Sequence, residues 1–149
     1  MSDSARILVI DDDESVRKVL ATALEEEGYT VDTAENGGEA IRKSHANFYN
    51  LALIDIRLPD MEGTRLLNEM RETTPKMVKI IVTGYPGLQN AVEAVNRGAD
   101  GYVVKPFQMG DLLKTIKEHL DKQEGAKRYS EQKVKEFIET RATELEKKR

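Results

Sequence analysis

Four short aliphatic runs constrain the fold of this chain more than any other feature of its sequence. They are residues 7–10 (ILVI), 51–54 (LALI), 78–82 (VKIIV) and 102–104 (YVV). Such runs are typical of strands that are buried on both faces, as in a parallel sheet. A fifth segment, residues 30–34 (TVDTA), alternates polar and apolar side chains, which favours a strand at the edge of the sheet.

Segments with apolar residues at helical spacing follow each of these runs. Their apolar positions are Val16, Leu20 and Leu24; Ala40 and Ile41; Leu66, Leu67 and Met70; Ala91, Val92 and Val95; and Leu112, Leu113, Ile116 and Leu120. Gly28 and Gly98 follow the first and fourth segments, where glycine commonly ends a helix. The alternation of strand and helix predicts an α/β fold with a doubly wound, five-stranded parallel sheet and right-handed crossovers.

The C-terminal segment differs in composition from the rest of the chain. Residues 126–149 carry a net charge of +3, whereas residues 1–125 carry −7. Val134, Phe137, Ile138 and Leu145 form a narrow apolar stripe at helical spacing. We therefore predict one domain over residues 1–122 and an extra helix, an extension or linker, over residues 123–149. Two interpretations of that helix stay open: a solvated helix, or a dimerisation or linker helix that leads to a further domain of a longer protein.

Composition excludes several classes of function. The chain has no cysteine, which excludes disulfides, thiolate metal sites and cysteine nucleophiles. Its net charge of −4 argues against nucleic acid as a direct partner. The polar N-terminal residues do not resemble a secretory signal, and the aliphatic runs are far shorter than the roughly 20 residues that span a bilayer. We expect a cytoplasmic protein with no membrane partner.

Polar residues with chemical potential stand where the predicted strands end. Residues 11–13 (DDD) follow the first strand, Asp55 follows the third, Thr83 ends the fourth, and Lys105 follows the fifth. In open α/β sheets, ligands bind beyond the carboxyl ends of the strands. The fold is therefore expected to bring these side chains together at one edge of the sheet.

The chemistry of this set suits phosphoryl transfer. The carboxylates of Asp11, Asp12 and Asp55 would repel one another without a cation, and hard oxygen ligands suit Mg²⁺. A carboxylate held beside a metal is a competent nucleophile for a phosphoryl group, and Thr83 and Lys105 can contact the phosphoryl oxygens. Taken alone, each residue has a plainer explanation, such as helix capping or a turn. Their joint placement favours the functional one.

Four motifs extend the argument to a known family. Residues 7–14 (ILVIDDDE), 53–63 (LIDIRLPDMEG), 81–85 (IVTGY) and 101–107 (GYVVKPF) resemble the receiver domain of bacterial and archaeal response regulators. The resemblance covers residues 6 to about 121, with the motifs in the same order. It implies a flavodoxin-like sheet with strand order 2-1-3-4-5 and a role in two-component signal transduction.

The resemblance also implies roles for individual residues. Asp55 would accept a phosphoryl group from a histidine kinase or a histidine phosphotransfer protein. Asp12, Asp55 and the backbone carbonyl of Arg57 would bind Mg²⁺ or Mn²⁺ directly, and Asp11 would bind it through water. Thr83 and Lys105 would contact the phosphoryl oxygens.

A conformational switch is a further implication of the resemblance. The Lys105–Pro106 bond is expected to be cis, and Tyr102 matches the aromatic residue that turns inward as Thr83 moves toward the phosphoryl group. The readout surface would be the fourth helix, fifth strand and fifth helix. It would bind a downstream effector protein, or form a homodimer there or through the C-terminal helix.

Arg57 and Tyr85 flank the site, and we hypothesise that they tune the access of hydrolytic water.

A metal-dependent aspartyl phosphatase or phosphotransferase is the alternative from the enzyme class. Such enzymes usually place a second carboxylate two residues after the nucleophilic aspartate, as a general acid. Here that position is Arg57. We therefore expect no catalysis beyond self-phosphorylation from a phosphodonor and hydrolysis of the product.

Overall fold

A computed structural model describes residues 4–84 and 87–147 of the chain. Five strands alternate with five helices in the order that the sequence predicts. The strands are β1 (Arg6–Ile10), β2 (Thr30–Ala34), β3 (Leu51–Ile54), β4 (Val78–Thr83) and β5 (Gly101–Val104). The helices are α1 (Glu14–Glu26), α2 (Gly37–Ala46), α3 (Gly63–Glu69), α4 (Leu88–Asn96) and α5 (Met109–Lys147).

The five strands form one parallel sheet with the order β2-β1-β3-β4-β5. In the register, Ile7 of β1 lies opposite Val31 of β2 on one side and Leu51 of β3 on the other. The predicted edge position of β2 is confirmed, and most of its residues are partly exposed. The central strands β1, β3 and β4 are almost wholly buried, as their uninterrupted aliphatic runs indicate.

Helices cover both faces of the sheet. Leu20 and Leu24 of α1 pack with Leu112 and Ile116 of α5 on one face, against alternate residues of the central strands. On the other face, residues of α2, α3 and α4 pack against the remaining strand residues in a second core. Because successive side chains of a strand point to opposite faces, each aliphatic run supplies both cores. This layering is the doubly wound arrangement that the sequence predicts.

Asp60 ties the loop after β3 to the start of α2. Its carboxylate oxygens accept hydrogen bonds from the backbone N–H groups of Gly37 and Gly38, at 2.8 and 2.9 Å. Asn36 accepts a third bond from the N–H of Glu39 at 2.8 Å. Burial opposes ionisation of Asp60, but these backbone donors outweigh it and lower the pKa of the carboxyl. A loop residue that the sequence explains by turn formation therefore also caps a distant helix.

Replacing Asp60 with Ala is expected to lower the free energy of unfolding by about 1 kcal/mol, because two N–H groups at a helix N-terminus lose their acceptor. The folded-state pKa of Asp60 is depressed, so its contribution is fully present above the unfolded pKa of about 4. It is lost as the pH falls through the folded value. Urea unfolding should be measured between pH 7 and pH 3. The difference in free energy of unfolding between the wild type and the variant should become smaller below about pH 4. Glu118→Ala, an exposed carboxylate on α5, serves as the control and should show no comparable loss.

The helix predicted for the C-terminal segment is present, and it is continuous with α5. Gly125 is the one glycine in the middle of this 39-residue helix, and a single glycine costs only about 1 kcal/mol there. Described side chains from Gly125 onward are exposed. Among the described residues, no helix combines the length and apolar character needed to cross a bilayer.

Gln123 fixes α5 at the point where it leaves the sheet. Its side-chain amide donates to the carbonyl oxygens of Asn50 and Lys76, at 2.9 and 2.8 Å. The side chain of Asn50 donates back to the Gln123 Oε1 atom at 3.1 Å. These bonds join the helix to the segments that precede β3 and β4. The direction of the exposed half of α5 is therefore set by polar contacts at the amino edge of the sheet.

Candidate functional site

The predicted site residues lie together at the carboxyl edge of the sheet. Backbone hydrogen bonds continue the sheet pairing by one residue there: the Asp11 N–H donates to the carbonyl of Ala34, and the Asp55 N–H donates to that of Ile10. On the other side of Asp55, the Lys105 N–H donates to the carbonyl of Thr83 at 2.8 Å. The ends of β1, β3, β4 and β5 thus place these residues in adjacent positions of one row.

Three carboxylates converge in this row. Oxygen atoms of Asp11, Asp12 and Asp55 lie within 4.8 Å of one another. Asp11 and Asp55 are buried, and Asp12 is exposed at the mouth of the group. The Lys105 ammonium reaches in from β5, with Nζ at 2.9 Å from Asp11 Oδ2 and 3.6 Å from Asp55 Oδ2. We call these four residues the acidic pocket.

The electrostatics of the acidic pocket follow from its crowding. Burial raises the pKa of Asp55; the Lys105 charge lowers it, while the charges of Asp11 and Asp12 raise it further. Burial also disfavours the charged form of Lys105, but the hydrogen bond to Asp11 and the attraction of Asp55 outweigh it and raise the pKa of the lysine. Lys105 is therefore held as a cation, whereas ionised Asp55 is incompletely neutralised.

The donor set of the acidic pocket fits a divalent metal ion. Three carboxylates and one ammonium leave two negative charges in a largely buried group, which a divalent cation balances. All the donors are hard oxygen atoms, and the exposed side of Asp12 leaves room for water ligands, as Mg²⁺ prefers. Mg²⁺ or Mn²⁺ suits this pocket, and the absence of thiol and imidazole ligands in it disfavours zinc.

Asp13, the third acid of the run, has a different role from its neighbours. Its side chain accepts hydrogen bonds from the N–H groups of Ser15 and Val16, at 2.8 and 3.2 Å, and so caps α1. Its own N–H donates to Asp11 Oδ1 at 2.9 Å. The capping explanation of the acidic run therefore holds for one of its three members. Arg17, which sequence reasoning missed, braces the same turn by donating to the Asp11 carbonyl at 2.7 Å.

Gly63 fixes the loop that follows Asp55. The loop turns back on itself, with the N–H of Gly63 donating to the carbonyl of Ile56 at 2.5 Å. A Cβ atom at position 63 would lie 2.1 Å from the backbone oxygen of Asp55. Arg57 lies in this loop, and its N–H points to Asp55 Oδ1 at 3.4 Å. Only glycine permits this close approach of position 63 to the Asp55 backbone, and the approach thus fixes the backbone conformation of Asp55 and Arg57.

Tyr102 lies on β5, three residues before Lys105. Its ring packs against the core that α2, α3 and α4 share with the sheet. Its hydroxyl is buried, and among the residues that the structure describes it has no hydrogen-bond partner. Leaving a buried hydroxyl unpaired costs about 1–3 kcal/mol. Packing therefore favours the observed position of the Tyr102 ring, and the unpaired hydroxyl group disfavours it.

Replacing Tyr102 with Phe is expected to leave the free energy of unfolding unchanged or to raise it by up to about 1 kcal/mol, because the change removes an unpaired polar atom and keeps the ring. Urea unfolding measures this directly. The matched control is Tyr129→Phe on the exposed part of α5, where the hydroxyl is solvated and no change is expected. A loss above about 1 kcal/mol in Tyr102→Phe would show that the hydroxyl is paired in solution.

The structure therefore groups Asp11, Asp12, Asp55 and Lys105 in one pocket and places Thr83, which is fully buried, at the adjoining strand end. The Lys105–Pro106 peptide bond is cis, as expected. Tyr85 lies outside the described residues, so the hypothesis that it tunes water access stays a prediction, as does the same role for Arg57.

Comparisons with known proteins identify this architecture. The sequence model of the response regulator receiver domain matches residues 7–117. The regulatory protein AtoC of Escherichia coli is 38% identical over 107 residues, which are 72% of this chain and 23% of AtoC. Curated relatives are longer proteins, and the chain spans a quarter to about half of their length.

Solved structures agree with the sequence match. A CheY-like receiver domain protein from Methanospirillum hungatei superposes with a TM-score of 0.80 at 48% identity, over 83% of this chain and 99% of that one. The response regulator TrrA of Thermotoga maritima, solved with Mg²⁺ and BeF, gives a TM-score of 0.69 at 36% identity, over 77% of this chain and 98% of TrrA.

The family match places this doubly wound sheet, with the acidic pocket at its carboxyl edge, in the class of phosphoaccepting signalling domains. The chain belongs to the receiver domain family of two-component response regulators.

Proposed function

We propose that Asp55 is the residue that accepts the phosphoryl group, and that a divalent metal ion in the acidic pocket is required for this. The observation that carries the proposal is the convergence of Asp11, Asp12 and Asp55 within 4.8 Å, with Lys105 beside them. Of the three acids, Asp55 is the one at the end of the central strand β3, next to both Lys105 and the end of β4. It is therefore placed for contact with all the groups that a phosphoryl acceptor needs.

The side chains around Asp55 divide the remaining tasks. Lys105 supplies a positive charge that attracts the phosphodonor and can pair with a phosphoryl oxygen once the bond to Asp55 forms. Thr83, at the end of β4, supplies a hydroxyl donor for a second oxygen. Phosphoryl transfer needs mainly positioning and charge neutralisation, which this set provides.

The metal would be held by Asp12, Asp55 and the carbonyl of Arg57, with Asp11 acting through water. When bound, it supplies charge neutralisation between an anionic nucleophile and an anionic donor. The pKa of Asp55 is raised first by burial and then by the charges of Asp11 and Asp12, and a bound cation would offset both effects. Mg²⁺ in the related TrrA complex supports the metal assignment independently.

Phosphorylation adds charge and acceptor oxygens at the edge of the sheet, and Thr83 and Lys105 bond the new group only in a suitable loop arrangement. Tyr102 is suited to follow such a change, because its inward position is opposed by the unpaired hydroxyl. We propose that the Tyr102 ring reports the state of the Thr83 loop. The two-state element required for signalling is then this side chain and the loop after β4.

The surface formed by α4, β5 and α5 is the proposed docking site for the partner. Strand β5 is at the edge of the sheet, with α4 on one face and α5 on the other. Val92, Val95 and Val104 are exposed on this surface. Exposed apolar side chains on a surface that includes the strand of Tyr102 fit a site that binds a downstream effector protein when its conformation changes. The phosphoryl group would come from a histidine kinase or a histidine phosphotransfer protein.

The test is incubation of the purified chain with acetyl phosphate, with and without Mg²⁺, followed by intact-mass measurement and peptide mapping. We expect the mass of one phosphoryl group, attached at Asp55, only when the metal is present. Incorporation without metal, or at another residue, would contradict the proposal.

A second function is favoured by the exposed part of α5. Tyr129, Val134, Phe137, Ile138 and Leu145 are each at least 58% exposed on a helix that continues without a break from the domain. Such a helix suits a dimerisation linker between a receiver and an output domain. The curated relatives are longer than the segment that they share with this chain, and this also suits a linker helix.

Solution mass tests the linker function. Light scattering of the full chain and of a chain ending at Glu124 should give a dimer and a monomer, respectively. Ile138→Glu should also give a monomer, whereas Glu139→Gln, on the adjoining position, should leave the dimer intact. A monomeric full chain at high concentration would remove the dimerisation function.

A further inference from the structure

Lys79 is a buried lysine that the signalling mechanism does not use. It lies in β4 and is only 7% exposed. Its side chain shares a face of the strand with Ile81, and its Nζ atom donates to the backbone carbonyl of Leu67, in α3, at 2.6 Å. Within residues 4–84 and 87–147, this is the one hydrogen bond recorded for the ammonium, and no carboxylate lies within ion-pair distance. Among the described residues, two of its three N–H donors therefore have no protein partner.

Lys79 lines a cavity of about 360 Å³ at the amino end of β4. The end of α3, the segment that leads into β4, and the end of α4 form its walls. The other cations of the lining are Arg71, Lys76 and Arg97, and Glu72 is the one carboxylate among the described lining residues. Arg97 is held in place by Glu93, with Nε and Oε1 3.1 Å apart.

Positive charge is concentrated around this cavity. The whole sequence has a net charge of −4, yet the cavity lining holds four cationic side chains, one of them paired with Glu93, against one carboxylate. Burial lowers the pKa of Lys79 and the charge of Lys76 lowers it further, while the charges of Asp100 and Glu72 oppose this shift without reversing it. A buried cation among other cations is costly unless an anion is close by. The hydrogen bond to Leu67 completes the end of α3, but it accounts for only one of the lysine's donors and for none of the surrounding charge.

We propose that this cavity binds a small phosphate-bearing anion, with Lys79 at its base and Arg71 and Lys76 at its rim. The volume lies within the usual range for small-ligand sites. Lysine as a point charge, with arginine as a planar fork, is the combination that proteins use for phosphate groups. The site lies at the opposite edge of the sheet from the acidic pocket, and Lys79 is four residues, or roughly 13 Å, from Thr83 along β4.

Pyrophosphate is the probe that tests this site, titrated into ¹⁵N-labelled protein without divalent metal. Under these conditions the acidic pocket repels anions, so binding there does not compete. We expect amide shifts confined to residues 67–79 and 97–98, saturating in the millimolar range or below. Citrate tests whether carboxylates substitute for phosphate, and a poly-glutamate peptide tests whether an acidic protein segment is preferred.

Variants complete the test. Lys79→Met keeps the volume of the side chain and removes its charge, and it should weaken pyrophosphate binding at least about tenfold. Arg71→Gln combined with Lys76→Gln, two exposed changes that leave the core intact, should weaken it similarly. Lys135→Met, on the exposed part of α5, is the matched control and should bind as the wild type does.

The proposal is overturned if pyrophosphate does not bind at 10 mM, a concentration about ten times a weak millimolar Kd, or if its shifts map to the acidic pocket. It is also overturned if the charge-removing variants bind unchanged, or if poly-glutamate or citrate binds more tightly than pyrophosphate. Phosphorylation of Asp55 is measured separately. A failure of the anion-site proposal can therefore be distinguished from a failure of the proposed function.

Discussion

Replacing Asp55 with Asn is expected to abolish phosphorylation by acetyl phosphate, with a loss of at least about a thousandfold. The amide has nearly the same shape as the carboxylate but is not a nucleophile, so the acidic pocket keeps its packing and loses its reactive atom. Stability should be retained, because the change removes one of three mutually repelling carboxylates while Lys105 keeps its 2.9 Å contact with Asp11. Intact mass and circular dichroism measure the two properties in parallel.

Asp13→Asn is the matched control for this prediction. Asp13 is next to the acidic pocket in sequence, but its side chain caps α1, and Asn caps a helix as well as Asp does. Phosphorylation of the control should stay within about threefold of the wild type, since a change of less than about 0.7 kcal/mol in the barrier is expected. Labelling of the Asp55→Asn protein at its natural rate would show that another residue is the acceptor.

Replacing Gly63 with Ala is the second change with a large expected effect. The new Cβ would lie 2.1 Å from the backbone oxygen of Asp55, 2.9 Å from its carbonyl carbon and 3.0 Å from the Cα of Ile56. All three atoms belong to the backbone, so a side-chain rotation cannot relieve the overlap. We expect a loss of about 2–4 kcal/mol in the free energy of unfolding. Phosphorylation at Asp55 should also slow at least tenfold, because displacement by about 1 Å misplaces the nucleophile.

Gly125→Ala provides the opposite result from the same substitution. Gly125 lies within α5, and no described atom outside the helix backbone lies within 4 Å of a Cβ built there. Alanine is favoured over glycine in a helix by about 1 kcal/mol. Urea unfolding should therefore show stabilisation at position 125 and destabilisation at position 63. Equal stability of Gly63→Ala and the wild type would mean that the loop after β3 lies farther from Asp55.

The strand-helix alternation and the position of the acidic pocket could be predicted from the sequence because both depend on local patterns. Uninterrupted aliphatic runs mark buried parallel strands, and residues that follow them meet at one edge of the sheet. Asp11, Asp55 and Lys105 are separated widely in sequence, yet each follows a strand directly. The topology alone then makes them neighbours.

Other contacts of the site depend on how loops approach distant elements, which a local pattern does not encode. Asp60 caps α2 across 22 and 23 residues of sequence, and nothing in its neighbours indicates that. Glycine is required at position 63 because the backbone of Asp55 passes close to it, and not because of a particular turn type. Lys105 pairs more closely with Asp11 than with Asp55, a preference that strand order does not determine.

The surroundings of Lys79 could not be predicted from the sequence either. In the sequence it stands within an aliphatic run that otherwise indicates a buried strand, and a single lysine there does not change that prediction. Its surroundings come from the ends of α3 and α4, which are distant in sequence. The charge gathered around it became apparent only when those elements were placed together.

The continuity of α5 also follows from physical causes that composition obscures. The change in charge after about Lys122 suggests a separate unit, and the boundary between residues 122 and 123 stays a prediction. Helix formation responds to local propensity rather than to net charge, and one glycine does not interrupt it. Gln123 holds the helix to the sheet immediately beyond that boundary.

Calorimetric titration with Mg²⁺ tests the central claim most directly, since the claim is that carboxylates from separate strand ends hold one divalent cation. We expect the wild type to bind one ion per chain with a millimolar or tighter Kd, and Asp12→Ala to lose that binding while Asp13→Asn retains it. Wild-type protein that binds no Mg²⁺, or an Asp12→Ala variant that binds it unchanged, would contradict the account.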